Sequence, residues 1–240
     1  MSLDFGFLFA KYFHAFVPSK TKRRALKGQL EAYKITTIVD GKKERKPRFK
    51  ELKGYNVTKQ DAGKNNKILV HTPLVKANIK ILITGSNNTL VIGGGFQGKM
   101  SVWFNEGNGS ITIGKNCIFS DVSFFPSSFK MEVGDNVLMS REIEIWGHDQ
   151  HVLLDAKTKQ VLNQKVNITR IGSYCWLGAR STILKNADIP DHTIVGACAV
   201  VTKPFTEKYT ALGGNPAKVI KHGIMFACES VNRYLESKKG

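Results

Sequence analysis

From Ile171 onward, every sixth residue is aliphatic: Ile171, Leu177, Ile183, Ile189, Val195 and Val201. Neither a helix, with its period near 3.6, nor a flat strand, with its period of two, produces that spacing. Short strands that turn at fixed corners do, each aliphatic pointing into a narrow three-sided core. Three such units close a coil of about 18 residues, and stacked coils pair their backbones while burying a continuous core. Small residues follow several of the aliphatics, as in Ile171-Gly172, Leu177-Gly178 and Val195-Gly196. A mainly β solenoid is therefore expected.

Upstream the same flavour persists out of phase, in the stretches beginning at Leu90, Ile111 and Met131. From Val133 the period runs through Met139 to Ile145 and then breaks, because Ile145 and Ile171 are not separated by a multiple of six. Residues 147–169 must therefore leave the coil, and a polar loop on a rigid scaffold is a natural place for chemistry. After Lys203 the period ends, the run Gly213 to Ala217 turns the chain, and 224–237 has the apolar spacing of a short amphipathic helix. Such a helix would cap the open end of the coil, whose core and strand edges need cover. The expected division is 1–65 as a basic and partly helical N-terminal region, 66–222 as the coil with its loop 147–169, and 223–240 as the C-terminal helix.

The 240 residues carry 36 Lys+Arg against 19 Asp+Glu, a formal net charge of +17. Residues 1–65 hold 16 of those cations and 6 of the anions, so the surplus is mainly N-terminal. Excess positive charge attracts polyanions without choosing among nucleic acid, anionic lipid, acidic polysaccharide and phosphorylated ligands. No nucleic-acid motif accompanies it, and no specific nucleic-acid partner is expected. Leu3, Phe7, Leu8, Phe13, Phe16 and Val17 could share one side of a helix before Pro18, with the basic run Lys20 to Lys27 behind it. That reads either as a membrane-surface helix or as one packed on the protein. No apolar stretch reaches the roughly 18–20 residues of a membrane span. Cys117, Cys175, Cys198 and Cys228 form no CxxC pair, so neither zinc nor a redox motif is indicated and no metal is expected. Asp4, Lys11 and His14 spoil a signal peptide, which points to a cytoplasmic protein, with peripheral association at the inner membrane face as an option.

The register, together with Ser173-Tyr-Cys-Trp-Leu-Gly-Ala, Ile194-Val-Gly-Ala-Cys-Ala-Val-Val-Thr-Lys and Gly214-Asn-Pro-Ala-Lys-Val-Ile, resembles the hexapeptide-repeat acyltransferases. The likeness is greatest to the branch that O-acetylates saccharides, including capsular and lipopolysaccharide sugars, and covers about residues 110–222. It implies a left-handed parallel β-helix, a homotrimer with active sites between subunits, and acetyl-coenzyme A as donor. It also implies a general-base histidine on the protruding loop, in an Asp-x-His context with an acidic residue soon after. Asp149-Gln150-His151 followed by Asp155 fits, so His151 is the matching position, while His148 is a second candidate that the family pattern does not require.

The chemistry explains the residue type. A sugar hydroxyl is too weak an acid to attack at neutral pH, so a neutral imidazole must take its proton as the new C–O bond forms. Either Asp149 or Asp155 could orient that imidazole. On the donor side, the small residues Gly178, Ala179 and Ala197 would let a slender pantetheine arm approach the backbone. Trp176 would wall the acetyl or sugar end, or lie at a subunit contact. The resemblance further places Thr202, Lys203, Pro216 and Lys218 near the coenzyme, the two lysines as point charges for its phosphates. The expected function is acetyl-coenzyme A-dependent O-acetylation of a saccharide by direct transfer in a ternary complex. The alternatives are N-acetylation of an amino-sugar with the same base and donor, and a coil that only binds or scaffolds a partner.

Overall fold

Each hexapeptide between Thr169 and Val201 repeats one backbone recipe. In the computed structural model, which describes residues 63–71, 74–164 and 168–237 and the backbone of three earlier strands, the period-six aliphatics are all buried. Ile171 pairs with Ile189, Leu177 with Val195 and Ile183 with Val201, all in parallel, so one coil takes 18 residues. The strands are two residues long at Trp176–Leu177, Thr182–Ile183, Asp188–Ile189, Ile194–Val195 and Val200–Val201. Two residues before each aliphatic stands a second inward side chain, and it is always small: Thr169, Cys175, Ser181, Ala187, Thr193 and Ala199 are all buried. One large and one small inward residue per side is what a tight three-sided core accepts. The corner residue preceding each strand, Tyr174, Arg180, Asn186, His192 and Cys198, lies in the left-handed region with φ of 58–65°.

The earlier coils are wider. Hydrogen bonds between equivalent positions join residues 22, 21 and then 20 apart, against 18 downstream. Val75–Ile83, Gln97–Phe104 and Ile118–Phe125 are strands of 9, 8 and 8 residues that stack in parallel. Strand Ile118–Phe125 pairs with both Leu138–Met139 and Ile143–Trp146, so one long side divides into two short sides at the corner Ser140 to Glu142. Further up, the same bend is made at Gly98, where φ is +113° and the pairing register shifts; a Cβ there would overlap the Phe119 carbonyl oxygen. The wider cross-section is filled by Phe96, Phe104, Phe119 and Phe124, all fully buried, with Phe96 meeting Phe119 edge to face at 5.2 Å.

The result is a left-handed parallel β-helix belonging to one unit, Ile35–Gly240. Its winding takes in Tyr55–Lys59, which pairs in parallel with Val75–Ile83 ahead of residue 66. At the other end Thr210–Gly213 continues the stack beside Ile194–Val195, and Lys218–His222 folds back antiparallel along it. The C-terminal helix is present as Val231–Ser237, with the side chains of Val231 to Glu236 exposed; strand Lys218–His222 is what covers the edge of the last coil. The helix expected over residues 1–17 and the basic run after it lie outside the described residues. Among the described residues no helix is long and apolar enough to cross a membrane.

Candidate active site

The loop leaves where wide coils give way to narrow ones. Ile145 and Ile183 stack as neighbours although 38 residues separate them, so the chain between strands Ile143–Trp146 and Thr169–Ile171 is extra to the coil. Its outer part is a small hairpin bridged between Leu154 and Val161. Asp155 makes the turn of that hairpin, accepting from the Lys157 and Thr158 backbone N–H groups at 2.9 and 2.7 Å and from Thr158 Oγ1 at 3.0 Å. Those bonds, the Thr158 N–H first, hold its carboxyl below the usual range. None of them reaches either histidine.

The root of the loop is built more tightly. His148 is half-buried, its Nε2 lying 2.6 Å from Ser127 Oγ, while its Nδ1 accepts the Gln150 backbone N–H at 2.8 Å. A backbone N–H can only donate, so Nδ1 carries no proton, and the neutral ring bears its proton on Nε2 and donates it to the serine. Burial lowers the His148 pKa, against the opposing pull of Glu106 and Asp149. Both ring nitrogens are thus committed, and the ring is held neutral.

Asp149 pairs with Lys185, which stands on the next coil, and accepts Asn163 Nδ2–H at 2.8 Å. Burial alone would raise its pKa; the hydrogen bonds from Lys185 and Asn163 and the Lys185 charge outweigh it and hold the carboxyl below the ordinary value. Asn163 also donates to the His151 carbonyl oxygen at 2.8 Å, and the His151 N–H turns back to the Asp149 carbonyl. The backbone of His151 is therefore pinned from two sides. Its imidazole is exposed and makes no hydrogen bond among the described residues, which leaves a lone pair free. Asp149 meets His151 through backbone and Asn163, not carboxylate to ring.

The donor-side residues lie on the narrow coils. Gly178 is buried, its N–H is spent on the Val195 carbonyl, and a Cβ would come within 2.6 Å of the Ala197 nitrogen. Its lack of a side chain thus serves the close stacking of coils. Ala179 and Ala197 differ: they occupy one corner on successive coils, both reach the surface, and neither N–H has a partner among the described residues. Two unpaired amides one coil apart, beside small side chains, suit the amide-bearing arm of a coenzyme A thioester. Trp176 is 38% exposed and its Nε1 is 3.4 Å from Ser140 Oγ. Thr202, Lys203, Pro216 and Lys218 are all exposed, with the Lys203 ammonium 5.8 Å from the Phe205 ring centre.

Amides and loop flank the same coil side, Thr182–Ile183. The Ala179 corner precedes it and Lys185, partner of Asp149, follows it. Ser127, Asn163 and Lys185 were not legible as site residues, since none lies in a motif. Asn163 in particular sits in an aperiodic stretch and matters only through the folded hairpin.

No family model matches the chain. Over 95 residues it is 30% identical to a polysialic acid O-acetyltransferase of Escherichia coli O1:K1, covering 40% of this chain and 30% of that one. Over 122 residues it is 28% identical to the galactoside O-acetyltransferase of Escherichia coli K12, covering 50% of this chain and 57% of that one. The chain thus spans between about a third and just over half of these relatives. Among solved structures it resembles the polySia-specific acetyltransferase NeuO with a TM-score of 0.62 at 21% identity, over 78% of this chain and all of that one.

Proposed function

We propose, for a chain built as a hexapeptide-repeat acyltransferase, that it transfers an acetyl group from acetyl-coenzyme A to a hydroxyl of a saccharide, with His151 as general base. The observation that carries the choice of base is the contrast between the two histidines. His148 has both nitrogens committed, whereas His151 is exposed with a free lone pair on a backbone held by Asn163. A neutral imidazole in that position can take the proton of an incoming hydroxyl as its oxygen bonds to the acetyl carbon. Asp149, kept ionised by Lys185, favours the imidazolium that results without touching the ring. The coenzyme supplies an activated thioester. Ala179 and Ala197 would hold its arm, Trp176 would wall the acetyl end, and Lys203 and Lys218 would face its phosphates. The saccharide class is supported by the activities named for the relatives and by a net charge that favours an acidic acceptor or donor.

Two copies are needed in this reading. The unpaired amides and the loop stand at opposite ends of one coil side, and the loop exposes Val152, Leu153, Leu154 and Leu162 at 49–64%. Such an apolar tip is ordinarily covered. A homotrimer, with each loop laid against the amide corner of its neighbour, covers it and completes the site. Use of acetyl-coenzyme A fits a cytoplasmic location.

The test is thiol release from acetyl-coenzyme A against a panel of sugars and oligosaccharides. His151→Ala should lower turnover by about 10²–10⁴-fold with oligomeric state and coenzyme affinity retained. Turnover within a few-fold of the parent would remove His151 from the role.

A further inference from the structure

The outward face of the long upstream strands carries a pattern that the loop chemistry does not use. On three successive coils a hydrogen-bonding residue is followed two positions later by a large ring: Ser101 and Trp103, Ser123 and Phe125, Glu144 and Trp146. Residues two apart on a strand share a face. The pairing register sets Ser101 beside Ser123, Ser123 beside Glu144 and Phe125 beside Trp146. The face therefore bears two parallel columns, one of rings and one of polar groups, roughly 7 Å apart.

The rings are ordered against one another. Trp103 and Phe125 stack with centres 6.3 Å apart and planes 17° from parallel, and Phe125 and Trp146 with 4.0 Å and 12°. Trp146 Nε1–H donates to Glu144 Oε2 at 3.1 Å, which fixes the indole and couples the columns. All three rings are half-buried, so an apolar rim stays open to solvent. The column ends at the reaction loop: the His148 ring centre is 6.5 Å from that of Trp146. Past the loop the ring position passes to Leu184 and the polar position to Thr182, so the aromatic column stops there.

We infer that this two-column track is an acceptor subsite for an extended saccharide, a reading that rests on acetyl transfer to a sugar as proposed above. Pyranose rings are amphipathic, with C–H groups on their faces and hydroxyls around the rim. The rings stack face to face, so the column presents a continuous apolar rim, and C–H patches laid along it are taken out of water by buried area. Ser101, Ser123 and Glu144 then lie where hydroxyls need partners, in the combination of apolar lining and few polar groups that binding sites use. The track runs upstream from the loop across two coil spacings, about 10 Å, so it serves units beyond the sugar that receives the acetyl group. An oligosaccharide is thereby favoured over a monosaccharide. A second copy of the chain is a poorer occupant, because the exposed Glu144 carboxylate would be buried at its centre.

The full chain, without acetyl-coenzyme A, is applied to an array of neutral and acidic glycans, and the glycans it retains are titrated by tryptophan fluorescence in a series of lengths. Two of the three tryptophans lie in the track. Affinity should rise with chain length. Trp103→Leu, which stays apolar but removes the ring and much of its rim, should weaken the long glycans about tenfold, while Trp103→Tyr stays within about threefold. Sedimentation should give one oligomeric state for all three proteins. The proposal is overturned if the parent retains no glycan, if Trp103→Leu binds as tightly as the parent, or if that substitution dissolves the oligomer and so marks the track as an interface. Its failure is separable from that of the reaction. Unchanged turnover in His151→Ala beside ring-dependent glycan binding sinks the base alone, and lost turnover in His151→Ala beside ring-independent binding sinks the track alone.

Discussion

The narrow coils from Thr169 to Val201 and the wide coils from Ile68 to Ile145 are two solutions to the same stacking problem. The narrow ones divide each turn into three equal sides and fill each with one aliphatic and one small residue. The wide ones spend two to four more residues per turn, merge two sides into one long strand, and fill the added space with phenylalanine. Strict periodicity is thus the mark of a cross-section too small to vary. Once rings fill the centre, corners can shift by a residue and the period blurs. The loop emerges at the join, where the long side divides in two and a change in coil size can be absorbed without breaking the stack.

The comparison breaks most readily at its filling. Phe119 is fully buried, touches both Phe96 and Phe124, and sits where strand Ile118–Phe125 meets the dividing corner. Phe119→Ala should cost about 3–5 kcal/mol, since a rigid stack of paired coils cannot collapse onto the void. Ile189→Val, in the narrow core, should cost only about 0.5–1.5 kcal/mol. Denaturant unfolding of both variants checks the pair. Similar losses would mean that the two cores do not differ in how their volume is used.

The same difference explains what could be read from the sequence. Ile171 to Val201 announces itself because each aliphatic has one permitted place. The small inward partners Cys175, Ser181, Ala187, Thr193 and Ala199 carry the same period, but their mixed polarity hides it from a hydrophobicity reading. Upstream, Phe119 and Phe124 belong to one eight-residue strand, and no period of six passes through both. In the site, Asp149 and His151 stand out through their context. The His148 contact with Ser127 and the clamp by Asn163 arise between residues 21 and 12 positions apart, on folds of chain that no local pattern encodes.

Acid should sharpen the contrast between loop and coil. His148 has its pKa lowered in the fold, so the unfolded loop binds a proton more readily; the stability it lends is complete above the ordinary value near 6.5 and declines as pH falls below it. Asp149 is also lowered, so its contribution is present above about 3.9 and is lost as pH falls through its folded value. Both losses run in the same direction, the histidine first, and both fall on residues 147–164. The narrow coils are held mainly by buried aliphatics and backbone pairing. Their one lowered carboxylate, Asp191, kept down by Lys208 and the Ser173 N–H, loses its contribution only below about 3.9, so between pH 7 and pH 4 the histidine alone acts. Limited proteolysis or amide exchange from pH 7 to pH 4 should therefore loosen the loop well before strands Trp176–Leu177 and Ile194–Val195. Simultaneous loosening would show that loop and coil form one cooperative unit.

The smallest effect expected is one of inverted sign, and it lies in the narrow coils. Thr193 is fully buried at a small inward position, and its Oγ1 has no hydrogen-bond partner among the described residues. A hydroxyl without a partner in an apolar core carries a desolvation cost that its methyl group does not offset. Thr193→Val keeps the branched shape, fits the β region that strand Ile194–Val195 continues, and replaces the orphan by a methyl. Thermal unfolding should find it neutral to about 1 kcal/mol more stable. The wide coils offer no equivalent gain at Asn66, although it too is buried and polar. Its Nδ2 donates to the Gly85 carbonyl at 2.9 Å and its Oδ1 accepts the Asn88 N–H at 2.8 Å, so Asn66→Leu strands two backbone groups and should destabilise. A polar residue inside the wide coils replaces coil-to-coil pairing that their looser geometry leaves open. In the narrow coils that help comes at a corner, where Asp191 Oδ1 accepts the Ser173 N–H at 2.9 Å; at the small inward position of Thr193 no backbone group depends on the side chain, and its size is all that the fold requires.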